Sequence, residues 1–165
     1  LGSTAERRDN PIWTIKGEWA IDHKVAEMME SAKREVVIIS IHNDYLRRYA
    51  KIVAAVSEKR PVTVVILEGS GDFIGMLGWS RLLCISEGKL SPPEPFISNA
   101  MESLDKGTEY DVELIMVCDR EVSVILSKER SGHRAIISSG TVVDYFINRM
   151  MDLTIMEAKE CGQSR

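Results

Sequence analysis

The chain has 165 residues, 44% of them apolar and 28% charged, with a formal net charge of −4. This is the composition of a folded domain long enough to bury one core. The acidic balance argues against this chain alone gripping a phosphate backbone, and no apolar run is long enough to span a membrane.

Residues 1–10 are polar and read as a loose linker or an expression remnant ahead of Pro11. The start at Leu1, without a methionine, points to a domain of a longer protein. Ile12-Trp13-Thr14-Ile15 predicts a short strand, broken by Gly17. Glu18 opens a helix to about Arg34 with an acid in its first turn, where the helix dipole favours it. Ile21, Val25, Met28, Met29 and Ala32 fall on one face of that helix. The run 35–41 is apolar on both faces and predicts a strand buried in a parallel sheet.

Asn43 or Asp44 is placed to cap the next helix. Leu46, Tyr49, Ile52, Val53 and Val56 form its apolar stripe, with Arg47, Arg48 and Lys51 on the other side. Residues 62–67 predict a third buried strand. The β-α-β-α-β order implies right-handed crossovers and a largely parallel sheet. Residues 68–110 read as a helical insertion: a glycine-rich turn, a helix from Asp72 to about Ser86 closed by Gly88, the turn 91–95, and a helix over about 96–106 closed by Gly107. Strands over 112–118, 121–126 and 134–138 predict an antiparallel meander, turned first at Asp119-Arg120. Ser139 or Thr141 caps a final helix to about Ala158, with Val142, Val143, Phe146, Met150 and Leu153 inward. The polar tail 159–165 is expected to fray.

Few motifs suggest chemistry. Gly69 to Gly75 loosely matches a dinucleotide fingerprint, but Glu68 and Asp72 place carboxylates where a pyrophosphate needs bare amides. His23, His42 and His133 lack metal-ligand spacing, and no metal or other cofactor is expected. Cys84, Cys118 and Cys161 are scattered, odd in number and without a CxxC. They predict no disulfide framework and a reducing, cytoplasmic setting, with Cys118 a small buried hydrophobe. His42-Asn43-Asp44 lies just past the carboxyl end of a buried strand, where ligands of open α/β sheets bind, and Glu68, Ser70 and Asp72 end the neighbouring strand.

The opening Ile12-Trp13-Thr14-Ile15-Lys16-Gly17, with Ser31-Ala32-Lys33-Arg34-Glu35-Val36 closing the helix that follows, resembles the effector domain of archaeal TrmB-type transcriptional regulators. That family shows W-x-I-x-G before this helix and A-K-x-E-V/I into the next strand. The resemblance covers most of the core outside 68–110. It implies one half of a phospholipase D fold. Active members of that superfamily carry His-x-Lys, four residues and then Asp. If Asp119 is that aspartate, Val112 stands at the histidine position and Leu114 at the lysine position. The resemblance therefore implies a fold without the nucleophile and the phosphate-binding cation, and a cytoplasmic homodimer that meets DNA only through an upstream domain.

The reading is an α/β three-layer domain over 11–158, with a mixed, mostly parallel sheet of about six strands and helices on both faces. Its expected role is effector sensing or dimerisation in a transcription regulator. The expected contacts to a sugar or other polar metabolite are His42, Asn43, Asp44, Glu68, Ser70, Asp72 and Asp119. The alternatives are a hydrolase using His42 with Asp44 or Asp72, and an oligomerisation module without ligand.

Overall fold

The computed structural model of the chain describes residues 11–69, 71–86, 89 and 111–161. Ser70 and the expected helix over 96–106 lie outside them. The elements are β1 (Ile12–Lys16), α1 (Glu18–Ser31), β2 (Val36–Ser40), α2 (Asp44–Ser57), β3 (Val62–Leu67), β4 (Arg81–Ile85), β5 (Asp111–Cys118), β6 (Val122–Glu129), β7 (Gly132–Ser139), α3 (Val142–Glu157) and β8 (Lys159–Glu160). The strands form one sheet in the order β1-β7-β6-β5-β2-β3-β4-β8.

The sheet is mixed but mostly antiparallel, which corrects the expected parallel majority. Among the described strands only β2–β3 and β3–β4 pair in parallel. The other neighbours run antiparallel. The error has a physical source: a continuous apolar run reports burial on both faces, not strand direction. From Glu113 to Cys118 β5 is buried like β2, yet it runs antiparallel to it, with Val36 opposite Cys118 and Ser40 opposite Leu114. The opening strand–helix–strand is also no adjacent unit. β1 pairs with β7 at the sheet margin, and β7, β6 and β5 separate it from β2. The expected meander is present as β5-β6-β7.

The apolar side chains divide into two clusters. One joins Ile21, Val25 and Met29 of α1 and Leu46 and Val53 of α2 to Ile38, Val64, Met116, Leu126 and Ile137. The other joins Ile147, Met150 and Met151 of α3 to the alternate strand positions Ile39, Val65, Ile115, Ile125 and Ile136. Strand periodicity alone produces this division.

Residues 72–86 are not a helix. Phe73 and Leu77 are buried at helical spacing. However, Gly71, Gly75 and Gly78 all take positive φ and break the helical path. Gly78 is also required sterically, since a Cβ there would lie 2.6 Å from Ser57 Oγ and 2.9 Å from the Ala54 backbone. From Arg81 the chain becomes β4 instead.

The expected loose tail is tied down at its start. β8 pairs with β4, placing Lys159 opposite Cys84, and Cys161 forms a disulfide with Cys84 across 77 residues of sequence. This corrects the expectation of unpaired cysteines and removes cysteine usage as an argument for a reducing compartment. Sheet pairing brings the two together, and sequence spacing carried no sign of it. Cys118 is free and buried, as expected, and burial aided by neighbouring Asp119 pushes its thiol pKa up to about 12. No described helix is long and apolar enough to cross a membrane.

α3 begins at a Thr141 capping box, with Asp144 reaching back to the Thr141 N–H at 2.8 Å. Asp144 is buried and also accepts from Ser123 Oγ and Ser138 Oγ at 2.7 and 3.0 Å. That network turns α3 relative to the expected phase. Its inner residues are Asp144, Ile147, Met150, Met151 and Thr154. Of the five residues expected inside, Val142, Phe146 and Leu153 are exposed.

Candidate functional site

One end of the sheet collects polar and titratable side chains. It is formed by the carboxyl ends of β1, β2, β3 and β6, the amino ends of β5 and β7, and the first turns of α1 and α2. Here a β-bulge between Val112 and Leu114 takes Glu113 out of the regular pairing with β6. The Glu113 carbonyl accepts from the backbone N–H groups of Ile41 and His42, at 2.9 and 3.1 Å. Its residue is only 7% exposed. Burial raises its carboxyl pKa, against the opposing influence of His133 and His42.

His42 is half exposed, and its Nε2 lies 3.1 Å from Asp111 Oδ1. His133 Nδ1 lies 3.2 Å from Glu18 Oε1. The Tyr45 ring meets His133 edge-on, with centroids 5.4 Å apart, and stacks on Tyr49 at 5.8 Å. Tyr49 Oη donates to Asp22 at 2.7 Å, and Arg48 pairs with both Asp22 and Glu18. Tyr45 is 5% exposed, and its hydroxyl has no hydrogen-bond partner. Burial, with Glu113 and Glu18 adding to it, drives that phenol's pKa upward. On the β6–β7 hairpin of the same end, Glu129 and Arg134 form a buried ion pair.

The expected residues divide as follows. His42, Asn43, Asp44 and Glu68 lie at this end. Asn43 holds the N-cap position of α2, but its side chain does not cap the helix; its Oδ1 accepts from Ser40 Oγ at 2.9 Å. Glu68 accepts from Ser86 Oγ at 3.2 Å, and Asp72 from the Ile74 N–H at 3.0 Å. Gly71 folds against the start of α2, where an added Cβ would lie 3.0 Å from Arg47 Nη2. Ser70 falls outside the described residues.

Asp119 stands at the opposite end of the sheet, since Cys118 pairs with the first residue of β2. Its carboxylate accepts the backbone N–H groups of Lys33, Arg34 and Glu35 at 2.8, 2.6 and 3.0 Å. Burial acts to raise its pKa, but those three donors and Arg34 outweigh it and hold the group below the usual value. Asp119 therefore ties the α1–β2 connection to the β5–β6 turn. Beside it an open groove of about 210 Å³ is lined by Trp13, Met28, Cys118 and Glu121.

Sequence reasoning missed Glu113, Tyr45 and His133. Glu113 had a visible signal, because it is the one charged residue inside the apolar run 112–118. Tyr45 and His133 carried none, since their proximity depends on the β6–β7 turn meeting α2.

Chemically, this end offers a buried carboxyl, two imidazoles and an unpaired phenol. Arg48 and Arg134 are already engaged by carboxylates, so neither is available to hold a phosphate. Val112 packs with the α3-side cluster, and Leu114 is fully buried in the other. Among the described residues no group of three or more His, Cys, Asp or Glu is placed to hold a metal ion.

No family model matches the chain, and no curated protein matches it in sequence. Solved structures do share its fold. NucT from Helicobacter pylori superposes with a TM-score of 0.61 at 10% identity, covering 90% of this chain and 98% of that one. Nuc, a phospholipase D family member from Salmonella typhimurium, gives 0.58 at 12%, covering 90% and 96%. The chain thus has a phospholipase D-like fold. The archaeal chromatin protein TrmBL2, whose structure is described as showing a novel mode of DNA binding, gives 0.60 at 12% and covers 92% of this chain. This chain spans 53% of the length of TrmBL2.

Proposed function

We propose that this domain is the non-catalytic, ligand-sensing and dimerising part of a DNA-associated regulator inside the cell. The observation that carries the reading is the packing of Val112 and Leu114. The two positions that would hold the nucleophilic histidine and the phosphate-binding lysine of an active phospholipase D fold carry apolar side chains, Leu114 buried inside one cluster and Val112 half-buried against the other. The fold shared with TrmBL2 supports the link to DNA, made through a part of the protein beyond this domain.

The ligand site of this reading is the polar sheet end. Its contacts are His42, Asn43, Asp44 and Glu68, with Asp72 following Gly71, which folds against the start of α2, joined by Glu113, His133 and Tyr45. A neutral or cationic polar metabolite suits these groups better than an anion, because four of the named contacts are carboxyl groups and none is a lysine or arginine. Binding would favour one arrangement of the dimer and so change the spacing of the DNA-reading elements. The hydrolase alternative is weakened by the side-chain geometry: His42 pairs with Asp111, not with Asp44 or Asp72.

The test is hydrolysis of bis(p-nitrophenyl) phosphate. The expected rate is that of buffer alone, unchanged in His42→Ala and Glu113→Gln. Turnover above background that either substitution abolishes would overturn the non-catalytic reading.

A further inference from the structure

The outer face of α3 is apolar where a surface helix is ordinarily polar. Val142 and Tyr145 are each 68% exposed and Met156 is 77% exposed, with Phe146 and Leu153 beside them. The buried Asp144 network fixes this orientation of the helix. Positions 142, 145, 149, 152 and 156 follow one another at steps of three and four, the spacing of a coiled-coil seam. At the centre of that seam stand Arg149 and Asp152, both exposed.

We infer that this face is covered by the same face of a second copy, with the two α3 helices antiparallel about a two-fold axis. The charge order selects this occupant. When the axis passes between positions 150 and 151, Arg149 of each protomer faces Asp152 of the other, giving two opposite-charge contacts. The same register puts Tyr145 against Met156 twice, so the apolar groups flank the charges symmetrically. An isologous interface requires such self-complementarity, and the stripe has it. Asp152 is already held at the helix surface by Arg120 Nη1 at 2.9 Å, which orients its carboxylate without covering it. This inference rests on the dimer reading above and names its surface.

The experiment is light scattering coupled to size-exclusion chromatography on the wild type, Arg149→Glu, Asp152→Lys, the double variant, and an equimolar mixture of the two single variants. The wild type is expected at twice the 18.5 kDa chain mass. Each single substitution turns both contacts into like-charge pairs and is expected to weaken dimerisation by about 100-fold or more. The double variant is expected to dimerise again. The mixture is expected to form a heterodimer, because every pair in it is again opposite in charge, and this recovery also shows that both variants fold. A wild type that is monomeric would overturn the dimer reading itself. A dimer unchanged by the single substitutions would overturn only this interface. Loss of dimer without recovery in the double variant or the mixture would overturn the proposed register.

Discussion

Arg134→Met is expected to destabilise the domain by about 3–5 kcal/mol at neutral pH, because it leaves the Glu129 carboxylate buried without its partner. Both residues sit on the β6–β7 hairpin, beneath the polar sheet end, and neither reaches solvent to any useful extent. The paired change Glu129→Leu with Arg134→Met is expected to recover most of that loss, since it removes both desolvated charges together. Urea unfolding of the three proteins at one pH measures this. A cost below about 1 kcal/mol for the single change would mean that the pair contributes little and that water reaches it.

Asp119→Asn is expected to cost about 2–3 kcal/mol, through weaker acceptance of three backbone N–H groups. Asparagine tolerates the left-handed backbone at this position, φ 55°, so the loss reports the carboxylate and not turn strain. The pH dependence has a defined sign. The folded pKa of Asp119 is depressed, so its contribution is complete above the unfolded value near 4 and is lost as pH falls through the lower folded value. The stability difference between wild type and variant should therefore stay constant over about pH 5–8 and shrink below about pH 4. A difference that stayed constant down to pH 2.5 would refute the charged-cap role.

These two residues illustrate what sequence can and cannot disclose. Asp119 was legible as a turn residue, and the turn is there, with both Asp119 and Arg120 at positive φ. Its place at the far end of the sheet was not legible, because that depends on β5 running antiparallel to β2. The inner face of α1 was legible and that of α2 largely so, since their apolar spacing is regular; in α2 Ile52 is only half-buried, and Tyr45 and Ala50 join the buried side. The face of α3 could not. Its apolar residues lie nearly all round, and a buried aspartate with its hydroxyl partners decides which side turns inward. Hydrophobic pattern assigns such a residue to solvent, so the exposed stripe became visible only in the structure.

The sheet end shows the same division. His42, Asn43 and Asp44 were placed at a strand end by a general rule, and they do follow the carboxyl end of β2. Glu113 escaped because a bulge, not a motif, sets it among the histidines. The Cys84–Cys161 link likewise needed the β4–β8 pairing, which two residues of strand do not announce. In each case the missing information is a contact between segments far apart in sequence.

The central claim is that the polar sheet end binds a metabolite and does not cut a phosphodiester. The most direct measurement is the melting temperature of the domain titrated with representative sugars, nucleotides, polyamines and amino acids, for wild type and His42→Ala in parallel. One class is expected to raise the wild-type melting temperature progressively with concentration, as selective binding to the native state requires. His42→Ala is expected to lose that rise while keeping its own cooperative transition. A flat response to all four classes, or a rise that His42→Ala leaves intact, would contradict the account.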